Sequence, residues 1–199
     1  MDFTARYLEE VQQVARGIDQ SAVNRLVDLL VTVRSDGGRL FILGVGGSAG
    51  NASHAVNDFR KIVGMEAYTP TDNVSELTAR INDDGWETSF SNWLAGSRLN
   101  ARDCVLVFSV GGGSREKNVS VNLIRALERA QEVGARIAGI VGRDGGFTST
   151  VADACVVIPI VHGETVTPHT EAFQAVIWHL LVTHPQLQAA RAKWEGLAS

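Results

Sequence analysis

Asp103-Cys-Val-Leu-Val-Phe-Ser109, followed at once by Val110-Gly-Gly-Gly-Ser114, decides how this chain is read. Cys104 to Phe108 show no polar alternation, so a strand here has both faces covered. A glycine-rich turn and then a helical pattern over 119–133 complete the first part of a strand–turn–helix unit. The same order recurs on either side. Arg39 to Val45 is a short apolar run, closed by Gly46-Gly47-Ser48 and followed by helix-like residues 49–63. Arg136 to Val141 is the next strand, ending in Gly142-Arg143-Asp144-Gly145-Gly146, and Ala154 to Ile160 is the last. Ala67 to Thr69 adds a short strand, while 73–80, 86–99 and 170–183 read as helices. Strands alternating with helices predict right-handed crossovers and a parallel sheet: an α/β fold, a three-layer αβα sandwich.

Two helices precede this pattern. Phe3, Tyr7, Val11, Val14 and Ile18 recur at three- and four-residue intervals, which predicts an amphipathic helix. A second helix, capped by Asp19 or Ser21, runs through Ser35. Its Val23, Leu26, Val27, Leu30, Val31 and Val33 leave little polar face, which asks for burial against the sheet or against a second subunit. No linker, repeat or low-complexity tract interrupts residues 1–199, so one domain is expected, with 1–36 as a helical extension used in oligomerisation.

Composition narrows the function classes. The chain has 199 residues, 45% hydrophobic and 20% charged, enough to fill a core and too apolar for disorder. A net charge of −4 gives no electrostatic case for nucleic acid. No apolar run approaches the ~20 residues of a membrane span, and Met1 to Glu10 lack the pattern of a signal peptide. Two cysteines in apolar strands, Cys104 and Cys155, suit reduced thiols in a cytoplasmic protein. Of the 20 glycines, eleven fall within 44–50, 111–113 and 139–146, at the ends of three strands. That edge of an open α/β sheet is where ligands bind.

Gly44-Val45-Gly46-Gly47-Ser48 misses the dinucleotide spacing, and no Walker lysine is present, so no nucleotide cofactor is expected. What remains is a glycine-plus-serine turn before a helix, repeated at Ser109 to Ser114. Gly46, Gly47 and Ser48, then Ser109, Gly111, Gly112, Gly113 and Ser114, would present backbone N–H groups and hydroxyls to an anionic, phosphorylated small ligand. Arg115 and Lys117 are either further anion contacts or exposed loop charges. A second constellation is polar. His54 and Asp58 stand four residues apart on one helix face, a spacing that suits two metal ligands or a proton-transfer pair. Glu171 and His179 are eight apart, about 12 Å of helix rise with an ~80° offset. One ion takes both only if Glu171 leaves the helix or the two come from different subunits.

The order Gly-x-Gly-Gly-Ser, His six residues after the serine and an acid four later resembles the sugar isomerase (SIS) domain, and within it the phosphoheptose isomerases. Asp72-Asn73-Val74-Ser75, Asn82-Asp83-Asp84-Gly85, the 109–114 loop, Gly142 to Gly146 and the helix reaching His179 extend the resemblance along nearly the whole chain. It implies a SIS-type fold and an aldose–ketose isomerase that turns sedoheptulose 7-phosphate into D-glycero-D-manno-heptose 7-phosphate through an enediol. It also implies a homo-oligomer, with a tetramer favoured. Other outcomes within the resemblance are a non-catalytic SIS regulatory protein, of the kind that binds a replication initiator, and an isomerase of another phosphosugar. Zinc-containing relatives carry His, Glu, Gln and His where this chain has His54, Asp58, Glu171 and His179, which implies Zn2+ or another divalent metal on these four. By the same resemblance Asp58 and His179 are the acid–base pair, with Glu171 as a substitute, while Asp83 contacts sugar hydroxyls or is structural. Asp72 is a sugar contact or a helix cap. Val45 replaces the usual Asn, and the 109–120 loop runs about six residues longer than the family Ser-Thr-Ser-Gly-Asn-Ser, with fewer hydroxyls.

Overall fold

The computed structural model describes residues 2–197. Five parallel strands, β1 (Leu40–Leu43), β2 (Ala67–Tyr68), β3 (Cys104–Ser109), β4 (Arg136–Val141) and β5 (Ala154–Val157), lie in the order β2-β1-β3-β4-β5. That is the doubly wound, flavodoxin-like order, with its switch point between β1 and β3. Leu40 pairs with Cys104 and Cys104 with Arg136, which brings the ends of β1, β3 and β4 to one edge.

Alternation along each strand sorts side chains to two faces. Leu40, Ile42, Leu106, Phe108, Ile140 and Val156 pack under α2 (Gln20–Ser35), α3 (Gly47–Asp58) and α8 (Val166–Thr183). Phe41, Leu43, Val105, Val107 and Ile137 pack under α5 (Ser89–Gly96) and α6 (Val121–Glu132). The expected three layers are therefore present, with α7 (Gly146–Val151) leading into β5. Both thiols are free, and burial pushes both up, that of Cys155 to about 11. Among the described residues no helix is long and apolar enough to cross a membrane.

Several boundaries differ from the sequence reading. The helix expected over 49–63 starts at Gly47 and ends in a wider, π-type turn, Phe59–Val63, closed by Gly64 at φ 69°. The helix expected from 170 begins at Val166, because Pro168 falls in its first turn, where no amide donor is required. The last strand stops at Val157 rather than Ile160, since Pro159 cannot continue a ladder. The segment 86–99 divides into a short 3-10 turn, Trp86–Thr88, and α5.

The two N-terminal helices differ in how far they are buried. Ala22, Val23, Leu26, Val27, Leu30 and Val33 of α2 all lie in the chain's own core, so its apolar faces need no second subunit. In contrast, α1 (Phe3–Gly17) leaves Phe3 65% exposed, and α4 (Val74–Asp84) has no buried residue although Val74, Leu77 and Ile81 recur on one face. Within α1, Glu10 is buried and ties this helix to α8. Its Oε2 accepts hydrogen bonds from His169 Nε2 and Thr165 Oγ1, each at 2.8 Å. These bonds, His169 first, hold the Glu10 carboxyl below the usual carboxylate range.

Candidate active site

At the carboxyl edge a cavity of about 830 Å3 opens between the β1, β3 and β4 loops. Of the expected anion contacts, Ser48, Ser109, Gly111, Gly113 and Ser114 line it. Its walls are held by backbone rather than by cations. Gly112, at φ 67°, passes so close to the β4 loop that a Cβ would stand 1.8 Å from the Gly145 oxygen. Gly146, at φ 51°, answers it, since a Cβ there would meet the Gly111 oxygen at 2.1 Å. Phe147 N–H donates to Gly113 O and Thr148 N–H to Gly112 O, both at 2.9 Å, locking the two loops together. Gly112 thus builds the wall from behind without lining the cavity. Gly46 and Gly47 likewise shape the first turn of α3 and do not line it, Gly46 at φ 64°.

Two hydroxyls are positioned by donors to their oxygens. Ser48 Oγ accepts from Gln174 Nε2 at 3.0 Å, and Ser109 Oγ from the Gly112 N–H at 3.0 Å, so each keeps its own O–H to donate. Asn51 extends the first contact across α3 and α8, donating to Gln174 Oε1 at 2.8 Å and to Glu171 O at 2.9 Å. The early N–H groups of α3 and α6 lack helical acceptors, and residues from both helix starts, Ser48 and Ser120, line the cavity. The arrangement suits a phosphate or similar anion.

The residues that lengthen the β3 loop form a small hairpin: Ser114 and Val119 exchange backbone hydrogen bonds of 2.9 and 3.0 Å. Arg115 is no free loop charge. It is ion-paired with Glu128 of α6, and its guanidinium lies 4.8 Å over the Phe147 ring. Lys117 and Arg143 line the cavity with Glu116 and Asp144 beside them. Phe147, Ser149 and Thr150 are lining residues that sequence reasoning did not name, and Arg143 and Asp144 were read only as part of a turn. The third glycine cluster marked their loop, but only the interlocked walls bring them to this cavity. Asp83 sits apart, exposed near the end of α4 and bonded to its neighbour Asn82, and does not line the cavity. Asp72 accepts from Ser53 Oγ at 2.8 Å, while the cap of α4 is Asn73.

The polar constellation lies further down α3, against α8. His54, Asp58 and His179 place one ligand atom each within 4.8 Å of one another. Both His54 Nε2 and His179 Nε2 stand 3.5 Å from the same oxygen, Asp58 Oδ2. Donors bound at ~2.0–2.2 Å around a tetrahedral zinc ion are separated by about 3.3–3.6 Å, which both His–Asp58 separations match, so this donor set fits a divalent metal. The tautomer fits too: His179 Nδ1 sits 2.8 Å from Ala175 O and donates to it, which leaves the Nε2 lone pair facing Asp58. His54 and His179 are half-exposed and Asp58 is buried.

Glu171 does not join this group among the described residues. Both Glu171 and His179 lie within the regular helix α8, which keeps them more than two turns apart, as the eight-residue interval requires. The carboxylate of Glu171 instead lies against the first turn of α3, where a Cβ on Gly47 would meet it at 2.5 Å. Among the expected four metal positions the structure therefore brings together three and leaves Glu171 beside the turn that carries Ser48.

A strand-order switch point, an interlocked glycine edge suited to an anion and a His–Asp–His cluster define the class, a ligand-binding α/β domain of the doubly wound type. The SIS domain family model matches residues 6–142, and the chain belongs to that family. A probable phosphoheptose isomerase of Thermoplasma volcanium is 31% identical over 157 residues, 76% of this chain and 76% of that protein. A phosphoheptose isomerase of Geotalea daltonii is 31% identical over 178 residues, 85% of this chain and 87% of that protein. The structure of phosphoheptose isomerase GmhA from Neisseria gonorrhoeae superposes with a TM-score of 0.78 at 22% identity, covering 90% of this chain and 95% of that one.

Proposed function

We propose that this chain is an aldose–ketose isomerase that converts sedoheptulose 7-phosphate to D-glycero-D-manno-heptose 7-phosphate. The observation that carries the reading is Asp58 Oδ2 lying 3.5 Å from two imidazoles, on the same helix whose first turn carries the cradle serine Ser48. Relatives named phosphoheptose isomerases support it over most of this chain's length. The phosphate is held by Ser48, Ser109, Ser114 and the loop amides. A base takes the C1 proton of the ketose while an acid protonates O2, giving the enediol; the proton then returns at C2 as O1 loses its own. Asp58 and His179 are the pair for these transfers, with Glu171, beside the cradle turn, as the remaining carboxylate. In the alternative arrangement His54, Asp58 and His179 would hold Zn2+ or another divalent cation, which when bound supplies charge stabilisation for the oxygen that becomes anionic. The proton transfers then fall to Glu171, because His179 Nε2 is a ligand and its Nδ1–H is donated to Ala175 O.

The active unit is a homo-oligomer, for which we favour a tetramer, in the cytoplasm. Along α3, His54 and Asp58 lie about 9 and 15 Å beyond Ser48 and roughly 80–120° around the axis from it. One chain's cradle and its own triad therefore face different ways, and a second copy completes the site. The exposed apolar side chains of α1, Phe3 and Leu8, and Val74 at the start of α4 are surfaces available for that contact.

The test is turnover. Protein supplied with Zn2+ and incubated with sedoheptulose 7-phosphate in D2O should yield the aldose, with deuterium at C2 seen by NMR. Binding of the sugar phosphate without conversion is the behaviour of a non-catalytic SIS protein and would sink the isomerase reading.

A further inference from the structure

Trp178 fills core on the inner side of α8. It is 1% exposed and stacks on Phe108 of β3, with ring centroids 5.8 Å apart and planes 15° from parallel. Packing of that kind needs only a large apolar side chain, yet tryptophan also carries an N–H that must find an acceptor once buried. The acceptor is Asp58 Oδ2, 3.1 Å from Nε1. That oxygen is the one facing both histidines at 3.5 Å, while Asn57 Nδ2 donates to the other oxygen at 3.0 Å.

The carboxylate is thus held from two helices. Asn57 lies on its own helix, α3, and the indole reaches across from α8. Aspartate has one torsion fewer than glutamate and a shorter reach, so a donor arriving from α8 fixes the oxygen without a longer stem. The indole also lies against both imidazoles, its centroid 5.3 Å from that of His54 and 4.9 Å from that of His179. His179 follows Trp178 directly in α8, and its ring is pinned through Nδ1 to Ala175 O. One turn of α8 therefore supplies an imidazole, the donor that orients the shared carboxylate, and a wall for the remaining imidazole.

We propose that Trp178 is a positioning residue, its indole N–H holding Asp58 Oδ2 between His54 and His179 so that the three donors stay converged on a divalent cation. Only the catalytic arm of this proposal rests on the isomerase reading. Partners of metal ligands that orient them typically account for ten- to hundredfold in affinity.

Trp178→Phe keeps the aromatic packing on Phe108 and removes the donor. Wild-type and variant protein, stripped of metal and titrated with Co2+ and Zn2+, should differ by ten- to hundredfold in dissociation constant. The melting temperature should move by only a few degrees. With sedoheptulose 7-phosphate, kcat should fall about tenfold or more with KM within twofold. In wild-type protein labelled with 15N-indole, the Nε1–H resonance of Trp178 should shift when Zn2+ is added and shift again in Asp58→Asn. Metal affinity within twofold of wild type in a folded Trp178→Phe would overturn the proposal. If that variant does not fold, an indole resonance unmoved by both Zn2+ and Asp58→Asn overturns it instead. Metal binding that depends on Trp178, in a wild-type protein that turns over no sugar phosphate, upholds the proposal and defeats the isomerase reading.

Discussion

Two polar regions of this molecule are built by opposite means. The carboxyl-edge cavity is made by backbone: Gly112 and Gly146 cross at distances no side chain permits, and the serines around them are aimed by single hydrogen bonds. The His54–Asp58–His179 cluster is made by side chains projecting from two helices of ordinary backbone. The difference is one of tolerance. A backbone-built wall fails when a methyl group is added, whereas a side-chain cluster loses function with its fold intact.

Breaking the first region should have the larger effect. Gly112→Ala puts a Cβ 1.8 Å from a carbonyl oxygen at a positive φ, and the β4 loop cannot yield because Gly146 is locked in turn. A loss of more than ~4 kcal/mol is expected, seen as a fall in melting temperature of over ~8 °C or as insoluble protein. An unchanged melting temperature would mean that the loops are not interlocked. The second region should break differently. Asp58→Asn should lower kcat by about 10²–10⁴ with a melting temperature near that of wild type, measured by the NMR assay and by calorimetry side by side.

A pH series sharpens the role of α1. The Glu10 carboxyl lies below its ordinary range because His169 and then Thr165 donate to it, which outweighs the opposing effect of burial, with the charge of His162 adding attraction. A depressed carboxylate contributes stability that is complete above the ordinary value of about 4.3 and is lost as pH falls below it. The melting-temperature advantage of wild type over Glu10→Gln should therefore shrink as the pH falls from about 4.3 towards about 3. An advantage that grows on acidification would contradict the pairing. The smallest effect expected is a gain. Gly50 lies in α3 with no positive φ, and a methyl group added there would meet nothing within 4 Å, so Gly50→Ala should stabilise by about 0.5–1 kcal/mol. Set beside Gly112→Ala, it separates glycines that the fold requires from one that it only carries.

Much of this was legible in the residues. The unbroken apolar run of β3, the glycines after three of the strands and the four-residue step from His54 to Asp58 each carry their own structural consequence. The separation of Glu171 from His179 was legible as well, since eight helical residues do not bring two side chains together. Other features were not. Trp178 sits at core spacing and reads as core, and its second role depends on which residue α3 presents to it. The residues 114–119 carry no alternation, so their hairpin and the docking of Arg115 on Glu128 and Phe147 had no periodic signal. The apolar residues of α2 could serve an interface or a core equally well, because periodicity reports how much of a helix is covered and not by what.

What the sequence determined by itself is local: strand, turn and helix, and the edge at which glycine and serine gather, because backbone preference and hydrophobic period act over a few residues. What the tertiary structure decided is which distant groups meet. His179 reaches Asp58, 121 positions earlier in the chain, only because α8 packs along α3. Gly112 meets Gly145 only because β3 and β4 pair in register. Those meetings follow from packing two covered faces of one sheet, a constraint that no short stretch of chain contains.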